Sequence, residues 1–183
     1  MTKRKKQARL IRIFRKVHKT TGVYLFIFFF IISISGLLLG WKKNSRGIFL
    51  PKTENGISTN ISKWLPLDVL QKTAFEALED NENVSIKLER IDARPEKGIV
   101  KFIFDSDYLE IQLDATSGEV LAKTIRRSDL LEDIHDGSIL DDFFKTDGEI
   151  IKLIYTTTMG LALLMFTITG FWLWLGPKKM KNK

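Results

Sequence analysis

Two long uncharged runs divide the chain. Residues 21–41 and 153–175 contain no Asp, Glu, Lys or Arg, and each is long enough to cross about 30 Å of hydrocarbon as a helix. Ahead of the first run, Leu10, Ile13, Phe14 and Val17 recur three and four residues apart among Arg9, Arg12, Arg15, Lys16 and Lys19. That spacing predicts an amphipathic helix, which either continues into the first run or bends at Gly22 to lie on the membrane. Its apolar stripe reads as an interfacial anchor or as the docking face of a partner helix. In the first run Gly36 and Gly40 form a small-xxx-small pair that lets protein pack closely on this face.

Between the runs the periodicity changes. Turn formers from Lys42 through Pro51 and Asn55-Gly56 predict a linker. Leu67, Val69, Leu70, Ala74, Ala77 and Leu78 predict a helix over 67–80. Residues 84–91 and 99–104 alternate or run apolar over strand lengths. Two further strands, 108–114 and 119–125, follow a turn at Asp105-Ser-Asp107 and are separated by a turn at Ala115-Thr-Ser-Gly118. The expected middle domain is α+β, one helix with about four antiparallel strands. The predicted organisation is a basic segment 1–20, a span 21–41, a middle domain 42–152, a second span 153–175 and a basic tail 176–183.

Charge adds an orientation. Nine Lys or Arg precede the first span, four follow the second, and neither flank holds an Asp or Glu. The flanks therefore carry +13 and the middle −6. The positive-inside rule places both termini in the cytoplasm and the middle domain outside it. The basic flanks then face anionic lipid at the bilayer, not nucleic acid. Cysteine is absent, which excludes disulfides, thiolate-held iron–sulfur clusters and haem attached through C-x-x-C-H. The first apolar run exceeds a signal-peptide core and no A-x-A site follows, so it reads as a retained anchor. Without a P-loop, G-x-G-x-x-G, H-E-x-x-H or Ser-His-Asp arrangement, no catalytic residue is assigned.

The segment Y-L-E-I-Q-L-D-A-T-S-G-E-V-L, residues 108–121, resembles the strand, D-x-x-T/S-G turn and strand of PepSY domains, in which a helix lies on an antiparallel sheet. R-K-V-H-K-T-T-G-V-Y, L-E-D-I-H-D-G-S-I-L and T-G-F-W-L-W-L extend the likeness to the PepSY-associated transmembrane helix family, from Arg15 to Leu175. Relatives tied to iron–siderophore uptake are bacterial inner-membrane ferric reductases that hold b-type haem on membrane histidines. They typically have four spans, and this chain resembles half of that architecture.

The resemblance implies haem b as cofactor, with His18, Gly22 and His135 as the binding residues and the two histidines on the iron. Gly22, one turn beyond His18, would give a porphyrin clearance along the helix. On the residues alone, His18 reads first as a headgroup contact, and His135 as a surface histidine in an acidic loop, near a short helix that Ser128 can cap. The acidic neighbours of His135, among them Asp136 and Asp141, can orient its imidazole or hold a hard cation, although their spacing matches no metal loop. The histidines lie at opposite membrane faces, so bis-histidine ligation requires a homodimer. Two functions follow: a dimer passing electrons from a quinol or cytoplasmic reductant to ferric iron or a ferric siderophore, or a membrane-anchored PepSY binding or regulatory module without redox chemistry.

Overall fold

Nothing in residues 3–40 interrupts a helix, because the stretch lacks proline and its one early glycine, Gly22, costs only about 1 kcal/mol inside a helix. The computed structural model, which describes residues 3–78, 87–146 and 148–181, shows a single 38-residue helix there, α1 (Lys3–Gly40). The amphipathic segment and the first span are therefore one element, without a break at Gly22. The second span is α5 (Ile150–Lys181), also continuous, with Pro177 near its end. Both helices are long and apolar enough to cross a membrane, with mean hydropathy of 2.5 and 1.7 over their most apolar windows.

The chain divides into a helical unit, residues 1–37 with 132–183, and a sheet unit, residues 38–131. The helical unit pairs α1 and α5 in antiparallel register. Phe14 meets Trp172 edge-on at 6.4 Å between ring centroids, and Phe28 meets Tyr155 at 6.1 Å. Small residues allow this approach: a Cβ added at Gly176 would lie 3.0 Å from Ile11. Of the predicted small-xxx-small pair, Gly36 faces a side chain, whereas Gly40 has open space around it.

The start of α5 is tied down by a carboxylate from the preceding short helix, α4 (Ser138–Phe144). Asp141 accepts hydrogen bonds from the amides of Ile151 (3.0 Å) and Lys152 (2.7 Å) and from the Thr146 hydroxyl. Those amides are first-turn donors that lack partners in their own helix. The end of α4 is apolar and outward, with Phe143 77% and Phe144 63% exposed.

The sheet unit is built on four antiparallel strands in the order β1-β2-β3-β4: β1 (Leu88–Arg94), β2 (Ile99–Phe104), β3 (Leu109–Asp114) and β4 (Val120–Ile125). The part of the first predicted strand at 84–86 lies outside the described residues, as does the end of the predicted helix at 79–80. That helix is α2 (Leu67–Glu76). Leu70, Ala74 and Leu78 pack on Val100, Phe102, Phe104, Ile111 and Leu113 to form the core. The turn after β3 follows its sequence reading. Asp114 accepts from the amides of Thr116 and Ser117, both at 2.7 Å, and Gly118 takes φ +78°.

The opposite face of the sheet is buried too, and it is polar. Lys101, Glu110, Gln112 and Asp114 are each no more than 3% exposed. The cover is the segment predicted as a linker, which runs over this face as a strap. Gln112 accepts from the Glu54 amide (2.9 Å) and donates to the Lys52 carbonyl (2.8 Å), and Asp114 accepts from the Ile57 amide (2.5 Å). Beneath it, Glu110 pairs with Lys101 (3.0 Å) and Arg126 (2.5 Å), and Arg126 continues to Asp129 (2.7 Å). Burial opposes the charge on Asp129, but bonds from Arg126, Ser128 and Arg90 outweigh it and hold its pKa below the ordinary carboxylate value.

Ser128 does not cap a helix. It lies inside the first turn of α3 (Arg127–Asp136), where its amide bonds to the Phe49 carbonyl at 2.8 Å and its hydroxyl to Asp129.

Candidate functional site

Each histidine sits on the α1–α5 seam and is half-buried. His18, on α1, places Nδ1 2.8 Å from the Thr169 hydroxyl of α5 and its ring edge-on to Phe166, 4.5 Å between centroids. His135, at the end of α3, places Nδ1 2.9 Å from the Ser35 hydroxyl of α1. The two partner hydroxyls are buried, Ser35 at 3% and Thr169 at 4% exposure. Residues 18 and 35 are on one continuous helix, so the two stations lie about 25 Å apart at 1.5 Å per residue. One chain therefore cannot bring both imidazoles to one metal ion.

His135 and Asp136 line a groove of about 300 Å³ with Phe29, Tyr155, Met159 and Gly160. The backbone beside them is set by Gly137, whose φ of +86° is a left-handed conformation suited to glycine. Tyr155 packs directly over it, so a Cβ there would fall 2.8 Å from Tyr155 Cδ1. Asp136 pairs with Lys152 at 3.1 Å. Burial raises the Asp136 pKa, and bonds from Ser138 and Lys152 more than offset that, leaving it below the usual carboxylate range.

The acidic residues around His135 have other work. Asp136 binds Ser138 and Lys152, Asp133 accepts from Ser138, and Asp141 holds the start of α5. Among the described residues no three His, Cys, Asp or Glu converge as a metal set. The group that orients the His135 imidazole is the Ser35 hydroxyl, in place of the expected carboxylate. Gly22 is also differently engaged: its open side faces the Phe166 ring, 3.4 Å from where a Cβ would sit. The notch beside it is thus filled from within the chain.

Ser35, Thr169 and Phe166 were not legible as site residues from spacing alone, since hydroxyls and aromatics are frequent in membrane helices. One signal does exist. Ser33-Ile-Ser-Gly36 in the first span and Thr167-Ile-Thr-Gly170 in the second are the same four-residue pattern.

A family model described as PepSY-associated TM region matches residues 1–175. No curated protein and no solved structure matches the chain. The two apolar helices, the four-stranded sheet with its packed helix, and a family match over nearly the full length agree. This membrane protein belongs to the PepSY-associated TM region family.

Proposed function

We propose that the chain is a haem-carrying membrane subunit that acts as a homodimer and passes electrons through the bilayer to ferric iron or a ferric siderophore. The observation that supports this reading is the placement of one histidine near each end of the paired helices, His18 held by a hydroxyl of α5 and His135 by a hydroxyl of α1. At His135 the residues suit the group. A neutral imidazole is an ordinary axial ligand for b-type haem, and the groove beside His135 is walled by Phe29, Met159, Leu163 and Gly160, with open space above Gly160. His18 and His135 would hold haem, each with its counterpart in a second copy. Bound there, the haem supplies a reversible one-electron carrier. A quinol or cytoplasmic reductant is the donor in this reading.

Protein purified in detergent should carry b-type haem, give a low-spin reduced spectrum and migrate as a dimer. His18→Ala and His135→Ala should each remove a distinct part of the haem, and the double variant all of it. Full haem content in the double variant would refute the ligand assignment, and a monomer with a bis-histidine spectrum would refute the pairing. The second reading is a membrane-anchored binding or regulatory module. Its support is that interhelical hydrogen bonds from His, Ser and Thr also hold membrane helices together without any cofactor. A colourless wild-type protein selects that reading.

The orientation proposed with this function puts both termini in the cytoplasm and the sheet unit outside the inner membrane. It rests on the charge of the flanks. Ser117→Cys should react with an impermeant thiol reagent in intact spheroplasts, and Lys178→Cys should react only after lysis. The opposite labelling pattern overturns the orientation.

A further inference from the structure

The geometry points to Ser35 and Thr169 as positioning residues that lock both imidazoles in one tautomer, with Nδ1 protonated and Nε2 left bare as the donor nitrogen. A Ser or Thr hydroxyl has one proton to donate and lone pairs to accept with. The Thr169 hydroxyl lies 2.7 Å from the Met165 carbonyl, and the Ser35 hydroxyl lies 2.7 Å from the Ile31 carbonyl. A carbonyl has no proton, so each close oxygen pair takes the hydroxyl's only one. Towards the imidazole the oxygen can then only accept. The hydrogen in the contacts at 2.8 Å to His18 and 2.9 Å to His135 belongs to Nδ1. In a neutral imidazole that leaves Nε2 as the nitrogen with a free lone pair.

The same construction occurs twice, on helices that run in opposite directions. In both cases the hydroxyl is the second one of the repeated pattern, Ser33-Ile-Ser-Gly36 or Thr167-Ile-Thr-Gly170. A glycine follows in both, and at Gly36 it makes room for the ring. A Cβ at Gly36 would sit 3.2 Å from His135 Cε1, and one at Gly170 would sit 3.7 Å from His18 Cε1. The first hydroxyl of each pattern bonds only within its own helix, Ser33 to the Phe29 carbonyl and Thr167 to the Leu163 carbonyl. A need for polar glue between helices does not by itself select one nitrogen. Presentation of Nε2 to an electrophile does, because a ligating imidazole is oriented by the bond its other nitrogen donates.

The link to iron rests on the haem reading above, whereas the tautomer does not. It is read from full-length, haem-free protein carrying 15N-labelled histidine in detergent, at about pH 8.5, where free imidazole is neutral. The 15N spectrum should show Nδ1 protonated and Nε2 bare at both histidines. Ser35→Ala should release His135 alone into a tautomer mixture, and Thr169→Val should release His18 alone. Ser35→Thr and Thr169→Ser should restore the wild-type pattern, and the control variants Ser33→Ala and Thr167→Val should leave it unchanged. Protonated Nε2 in the wild type, or no change in Ser35→Ala and Thr169→Val, overturns the inference.

Titration of the same proteins with haem separates the two readings. Loss of one of these orienting partners should weaken binding at its own station by roughly 10- to 100-fold. A locked tautomer in protein that binds no haem refutes the cofactor and leaves the positioning intact. Haem bound equally well by Ser35→Ala and Thr169→Val removes the positioning role and leaves the cofactor.

Discussion

Glu110→Ala should loosen the sheet unit more than any other single change on its strapped face. Glu110 is fully buried and accepts from Lys101 at 3.0 Å, Gln112 at 2.7 Å and Arg126 at 2.5 Å. Removing it leaves the Lys101 ammonium, 3% exposed, without its carboxylate. A buried pair broken from one side costs about 3–5 kcal/mol, because the surviving charge stays out of water. Hydrogen exchange of the β2 and β3 amides, followed by mass spectrometry on the full protein in detergent, should accelerate by roughly 10²–10⁴-fold.

Replacing both partners, as in Lys101→Met with Glu110→Leu, should cost far less, since the charge is no longer stranded. Acceleration below tenfold in Glu110→Ala would mean the ion network does not hold this face. The effect of pH has a definite sign. Asp114 and Asp129 both titrate lower in the fold than in the unfolded chain, Asp114 because backbone bonds from Ser117, Ile57 and Thr116 outweigh its burial. Their contribution is complete above the unfolded value and is lost as the pH falls through the lowered ones. Acid should therefore accelerate exchange at the strap and β3 first.

Gly137→Ala should disorganise the His135 station by two separate routes. An alanine at φ +86° carries strain of about 1–2 kcal/mol. Its methyl would also stand 2.8 Å from Cδ1 and 2.9 Å from Cγ of Tyr155, overpacking that costs about 1–3 kcal/mol. The sum, about 2–5 kcal/mol, should appear as faster exchange at the first turns of α5. The routes separate in a Tyr155→Ala background, where only the backbone strain remains, so the penalty there should fall to about 1–2 kcal/mol. An equal penalty in both backgrounds would show that the Tyr155 ring does not press on Gly137. No penalty in either would remove the glycine's role.

The elements whose reason for existing is local were legible from the chain alone. Two uncharged runs are long helices whatever surrounds them, because every backbone group is satisfied within the element. The Asp114–Gly118 turn is closed by bonds between residues at most four apart, so its pattern carries its own geometry. The helix at 67–76 and the strands declare themselves by the faces they must bury.

What the sequence left open depends on partners distant in the chain. The segment 52–58 has the composition of a linker and becomes a strap because Gln112 and Asp114, more than fifty residues later, complete its backbone bonds. Likewise, nothing near His135 indicates a serine 100 residues earlier, and nothing near His18 a threonine 151 residues later. The His18–Thr169 pair exists because α1 and α5 run antiparallel in one register, and the His135–Ser35 pair because the end of α3 packs on α1. The histidines could be found by composition, since there are only two. Which atom of each ring is committed, and which is left free, was decided by that packing.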